Sequence, residues 1–190
     1  MSSASDYYDI EAILADQQRV PCFFSYPVPG YGFLDGNNDA DLPPNTRVEL
    51  PYWMAETLAI REWVEIDLPK YYQVKVRNDL KASPTVVNLY QLCPYFYEFG
   101  IRIVNLIVDD VLCKVLSETF THRVQLIMNY TQATILRTDR SDFIQSLDET
   151  EKDLYRVGVE STGVMIRWIR SRASSARIMT ADVLTRDRSR

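Results

Sequence analysis

A chain of 190 residues, 46% hydrophobic and 12% aromatic, fits one domain or two small ones and carries too much apolar surface to be disordered as a whole. A net charge of −5 excludes nucleic-acid binding across the whole surface. The cysteines Cys22, Cys93 and Cys113 are odd in number, scattered and without a CxxC pair, which excludes a disulfide framework and a structural zinc site and fits a reducing compartment.

The average charge hides a gradient. Residues 1–50 carry eight acids against two bases, and residues 167–190 carry seven arginines against two aspartates. One end suits an acidic surface or nucleic acid, and the other does not. The opening MSSASDYYDI has neither the basic nor the apolar region of a signal peptide. No stretch reaches the roughly 18 uninterrupted apolar residues that a membrane span needs.

In chain order, Ile10, Ile13 and Leu14 predict a short helix over 9–17, too short to survive without docking. Val20 to Val28, rich in β-branched and aromatic residues with flanking prolines, predicts an edge strand. Gly30-Tyr31-Gly32 is a turn, and Tyr31, Phe33 and Leu34 suggest a second strand. Residues 35–44 form a loop, and 46–50 return as a strand. Pro51 opens a short helix with Trp53, Met54 and Leu58 as core candidates. Trp63 to Ile66 is a last strand. A sheet unit of this size is marginal alone.

Asp67 and Pro69 are helix-start signals, so a helix is expected from about Leu68 to Ala82, stopped by Ser83-Pro84. Pro94 starts another at Tyr95. That helix reads as apolar nearly all round to Val108, hence buried on all sides. Asp109 or Asp110 caps the next, from Val111 to about Leu136, with Leu112, Val115, Leu116, Phe120, Val124, Ile127 and Met128 at 3–4 spacing. A last helix starts near Asp142 or Ser146. Its positions Leu147, Glu151, Leu154, Val157, Ser161, Val164 and Trp168 form a seam at heptad spacing. The acids of DETEKD (148–153) read as a solvated face, with pairs such as Asp148 and Lys152 on the outside. Beyond Arg172 the pattern fades. The expected fold is therefore α+β, mostly α. A small β-rich domain (1–67) precedes a larger helical-bundle domain (68–172) and an arginine-rich tail (173–190).

Catalytic signatures are missing. The sole histidine, His122, lies in mid-helix, where a lone imidazole is structural or solvated. There is no HExxH, Walker A loop, GxGxxG or GxSxG, and no ligand-spaced cluster of His, Cys and acids. No enzyme activity, cofactor or metal is expected.

The segments RVELPYWMA (47–55), DLPKYYQ (67–73) and VVNLYQLCPYFYEFG (86–100), with DIEAILADQQRVPC (9–22) before them, resemble the subunit-3 family of the eukaryotic GINS complex over about residues 9–170. The chain departs from that pattern at Cys93 and Glu98, where the family often has glycine, and its tail has no clear match. The resemblance implies a nuclear scaffold subunit with three other GINS subunits as partners. It also implies association with the MCM helicase ring and a helicase accessory cell-division-cycle protein in replication initiation and fork progression. Contact with the leading-strand DNA polymerase would run through the complex. DNA contact would be at most indirect or weak, and no membrane is involved.

Three sets of residues are candidate contacts. Leu147, Leu154, Val157 and Trp168 face the chain's own core or a sister subunit. Tyr52 and Trp53, beside Pro51, pack the small domain onto the helical one or form a partner hot spot. Arg177, Arg186, Arg188 and Arg190 suit DNA phosphates or an acidic partner face. The alternative is a free-standing nucleic-acid-binding protein acting through that tail.

Overall fold

The computed structural model describes residues 8–36, 40–132 and 141–187. The elements in chain order are α1 (Ile10–Asp16), β1 (Arg19–Phe24), β2 (Arg47–Pro51), α2 (Tyr52–Ile60), β3 (Val64–Ile66), α3 (Val74–Ala82), α4 (Leu89–Leu92), α5 (Phe96–Ile107), α6 (Asp110–Gln132), α7 (Ser141–Gln145) and α8 (Glu149–Asp187). The fold is α+β and mostly α: a three-stranded antiparallel sheet followed by helices.

The sheet has the order β2-β1-β3, so β1 is central rather than an edge. Pro21 is tolerated there because of its place in the ladder. Its carbonyl accepts the N–H of Asp67 at 2.9 Å, one residue past the end of β3, so its missing donor faces the point where that ladder stops. Cys22 pairs with Val48 on one side and Ile66 on the other. Val20, Cys22, Phe24, Val48, Leu50 and Val64 send one continuous core face toward the helices.

The second strand expected around Phe33 is instead a 3₁₀ turn, Gly32–Asp35, closed by Gly36 at φ 77°. Tyr31 and Phe33 are exposed, so no buried face holds this segment extended. The helix expected from Leu68 is also divided. Lys70–Tyr72 is a 3₁₀ turn, Gln73 is extended at ψ 161°, and α3 begins at Val74. Asp67 accepts from its neighbour, Leu68 N–H at 2.8 Å, rather than from a helical turn. The break turns Tyr72 into the core, where it is 1% exposed and donates to the Phe96 carbonyl at 2.7 Å.

Tyr72 is the hub of an aromatic cluster. Its ring lies 5.2 Å from Phe96 and 5.9 Å from Phe99, and Tyr52 meets Phe99 edge-on at 6.0 Å. Gly100 makes this packing possible. A Cβ there would stand 2.9 Å from Leu116 Cδ1 and 3.3 Å from the Tyr72 hydroxyl. Sheet and helices thus share one core, running from Val20 to Leu116.

α5 is amphipathic rather than buried all round. Phe96, Tyr97, Phe99, Gly100 and Ile103 face inward, while Ile101 is 59% exposed. Neither departure from glycine strains the chain. Cys93 is extended, and Glu98 pairs with Arg102 one turn on. Asp109 caps α6, accepting from Val111 and Leu112 N–H at 3.0 Å. It also takes Arg77 from α3 at 2.6 Å. Along α6, Leu112, Val115, Leu116 and Ile127 are buried, but Met128 is exposed.

Candidate interface

The junction before α8 sets where that helix points. Asp148 is fully buried. Its Oδ1 accepts the Glu151 N–H at 2.8 Å, and its Oδ2 accepts the Tyr97 N–H at 3.3 Å. One carboxyl group therefore caps the first turns of both α8 and α5. Burial, with Glu151 close by, pushes its pKa up to about 7 against the hydrogen bonds and Arg123, which pull it down. Backbone bonds brace the same junction, from Glu149 N–H to Pro94 O at 2.9 Å and from Leu89 N–H to Ser146 O at 3.1 Å.

One turn further on, Glu151 receives Arg123 of α6 in a bidentate pair and the Tyr97 hydroxyl at 3.0 Å. Burial and Glu151 together raise the Tyr97 pKa. Arg123 spends its other donors on the carbonyls of Pro84, Val87 and Ser146. Such a buried cation is tolerable only when fully paired. The DETEKD acids are thus divided: Asp148 and Glu151 are interior and hold α8 to α5 and α6, while Glu149 and Asp153 stay partly exposed and pair with Lys152 and Arg156.

α8 contains 39 residues, about 58 Å at 1.5 Å per residue. Gly158 lies against α6, where a Cβ would come 2.7 Å from Thr131 Cγ2. Beside that contact and further along the helix, α8 carries Val157, Val164, Met165 and Trp168, each more than half exposed, with Ser161 and Glu160 next to them. Arg172 lies over the Trp168 ring at 5.0 Å. Steps of 4, 3 and 4 through 157, 161, 164 and 168 make this a helix-packing stripe left open by the chain's own core.

The predicted residues divide accordingly. Leu147 is 0% exposed, but it precedes α8 and is not on its seam. Leu154 is half-buried, and Val157 and Trp168 lie on the open stripe. Tyr52 is buried, and its hydroxyl reaches Glu56 and the Arg102 carbonyl at 3.4 Å. Burial, aided by Glu56, raises the Tyr52 pKa to about 12. Trp53, expected in the core, is exposed because it points away from Tyr52 and Ala55, the inward residues of α2. Helix α8 continues past Arg172 to Asp187, so Arg177 and Arg186 are on a helix; Arg188 and Arg190 lie outside the described residues. Met165 and Ile169 went unnoticed in the sequence, although they flank Val164 and Trp168 by one position. Arg123 gave no local signal, since its partners lie 23 to 39 positions away.

Among the described residues no group of three His, Cys, Asp or Glu side chains is placed to hold a metal ion, and no helix is long and apolar enough to cross a membrane. Burial pushes the Cys22 thiol up to about 12 and the Cys93 thiol to about 11, which leaves both poor nucleophiles. What the geometry offers is a rigidly mounted helix with an open apolar stripe.

The profile of the PSF3 N-terminal domain matches residues 8–60, and that of the GINS complex protein helical bundle domain matches residues 71–170. The chain is 39% identical to DNA replication complex GINS protein PSF3 of Phaeosphaeria nodorum, covering 87% of this chain and 96% of that one. It is 36% identical to the Schizosaccharomyces pombe protein of that name, covering 86% and 96%. With the Xenopus laevis protein it shares 30% identity, covering 89% and 82%.

Proposed function

Because the chain belongs to the PSF3 family of GINS complex subunits, we propose that it is a non-catalytic scaffold subunit of a nuclear heterotetramer with three other GINS subunits. In this reading the tetramer associates with the MCM helicase ring and its accessory cell-division-cycle protein. Together they form the active replicative helicase, and the leading-strand polymerase is tethered through the complex. The chain divides near residue 68 into a small β-rich unit and a helical unit, followed by the tail from 173.

The observation that carries the proposal is the stripe on α8. Val157, Val164, Met165 and Trp168 are exposed at helix-packing spacing, on a helix held at its base by the buried pair of Arg123 and Glu151. Exposed apolar rows of this kind on a fixed helix suit a permanent partner. Val157, Trp168 and the open side of Leu154 meet a sister subunit, while Tyr52 fastens the two units together. The arginine-rich segment from 177 suits an acidic partner rather than DNA, in line with the net charge of −5.

Hydrogen exchange of the chain alone and with its three sister subunits tests this. Residues 157–169 should gain protection on assembly. Unchanged exchange there would contradict the assignment of the stripe. Copurification of the MCM ring with the tetramer tests the wider role separately.

A further inference from the structure

A second open apolar surface lies on the small β-rich unit, away from α8. After β1 the chain leaves as Ser25-Tyr26-Pro27-Val28-Pro29, and Val28 makes an isolated bridge to Leu42. This loop stands apart from α2 and the start of β3, and a groove runs between them. Phe24, Leu50 and Met54 form its floor, and Tyr26, Tyr31 and Trp63 stand along its rims. The three rim residues are 65%, 51% and 50% exposed. Their hydroxyl and indole N–H groups have no hydrogen-bond partner among the described residues.

We propose that this groove binds an extended, proline-containing segment of a partner protein flanked by Lys or Arg. An apolar slot between aromatic rings suits prolyl rings, and a polyproline II segment has no internal hydrogen bonds. Its free carbonyls need donors, which Tyr26, Tyr31 and Trp63 present. Addition of a β-strand fits less well. Val28 N–H and C=O are both taken by Leu42, and Ser25 N–H is taken by the Trp63 carbonyl.

Charge selects the flanks. Residues 19–66 carry seven acids against three bases. Asp41 is held at the loop by the Gly30 N–H at 2.9 Å, and Glu62 adjoins Trp63. Arg61 lies over the Trp63 ring at 5.5 Å. The net charge over residues 19–66, three bases minus seven acids or −4, attracts a basic segment.

The test uses the full chain, alone and assembled with its sister subunits. The probe is an array of nonapeptides with two central prolines and Arg or Lys at each end. Matched arrays carry glycine for proline, or glutamate for the basic ends. Proline-basic peptides should bind at least tenfold more tightly than either control. Trp63→Phe and Tyr26→Phe, which keep the ring and remove the donor, should each weaken binding at least threefold, and Trp63→Ala should abolish it. Equal binding of the glycine array, no binder in the array, or no effect of these substitutions would overturn the proposal. So would shielding of Trp63 from a soluble quencher in the tetramer, because a sister subunit would then fill the groove.

Discussion

Arg123 and Glu151 form a two-pronged pair, Nε to Oε1 at 2.7 Å and Nη2 to Oε2 at 2.8 Å, with side chains 2% and 0% exposed. This pair ties α6 to the first turn of α8. Removing one member leaves a buried charge without its partner, which costs about 3–5 kcal/mol. Glu151→Gln should lower the urea midpoint accordingly. Arg123→Lys, which keeps the charge but loses the planar fork, should fall between that variant and wild type. Denaturation followed by circular dichroism measures both.

Asp148 gives stability a pH dependence. Its folded pKa is raised to about 7, first by burial and then by Glu151; Arg123 and the N–H groups of Tyr97 and Glu151 oppose this. Tyr97, Tyr72 and Cys93 are further titratable groups that feel Asp148. A carboxyl group whose folded pKa exceeds its unfolded value holds its proton longer in the native state. Its stabilisation is complete below the unfolded value and is lost as pH rises through about 7. The stability difference between wild type and Asp148→Asn should therefore fall from pH 4.5 to 7.5, by at most about 1.4 kcal/mol per pH unit. Urea titrations at several pH values measure it.

The same substitution at two glycines of α8 should have opposite signs. A Cβ at Gly158 would meet Thr131 Cγ2 at 2.7 Å and Cβ at 3.2 Å, whereas at Gly163 it meets nothing within 4 Å. Gly158→Ala forces α8 away from α6 and should cost about 1–3 kcal/mol. Gly163→Ala should stabilise the helix by up to about 1 kcal/mol through propensity alone. Thermal melts of the two variants against wild type decide it.

Arg102 ties α1 to α5, beside the buried Ala12 and Ala15. Arg102 of α5 donates to the Ala12 carbonyl at 2.9 Å and pairs with Asp16 and with Glu98. A helix of seven residues does not persist in water unaided. Arg102→Ala should speed proteolytic cleavage near Gln17-Gln18-Arg19 and lower global stability by only about 1 kcal/mol. Mass spectrometry of the early fragments reads this directly.

Local signals in the sequence located most elements. Pro51 marked the start of α2, Asp109-Asp110 the start of α6, and Ser83-Pro84 the end of α3. What stayed hidden was set by contacts distant in sequence. Pro21 argued for an edge strand, yet β1 is central because β3 ends beside it. The burial of Tyr72 overrode the helix signal of Asp67 and Pro69. Trp53 invited a core assignment on size, but the register of α2 turns Tyr52 inward instead. The acids at 148 and 151 looked solvated because Arg123 and Tyr97 lie 28 and 54 positions from Glu151. Heptad spacing marked Val157, Ser161, Val164 and Trp168, which share one exposed face of α8. It could not show that Leu147 precedes the helix.

The account's central claim is that the open face of α8 joins this chain to its sister subunits. The most direct measurement is the native mass of the chain coexpressed with the three other GINS subunits, as wild type and as Val157→Asp with Trp168→Ala. Both substituted side chains are more than half exposed, so the variant should keep the wild-type circular dichroism spectrum. The account predicts a 1:1:1:1 complex for wild type and a folded variant that no longer enters it. A variant that assembles as wild type does, or a wild-type chain that stays monomeric beside its sisters, would contradict it.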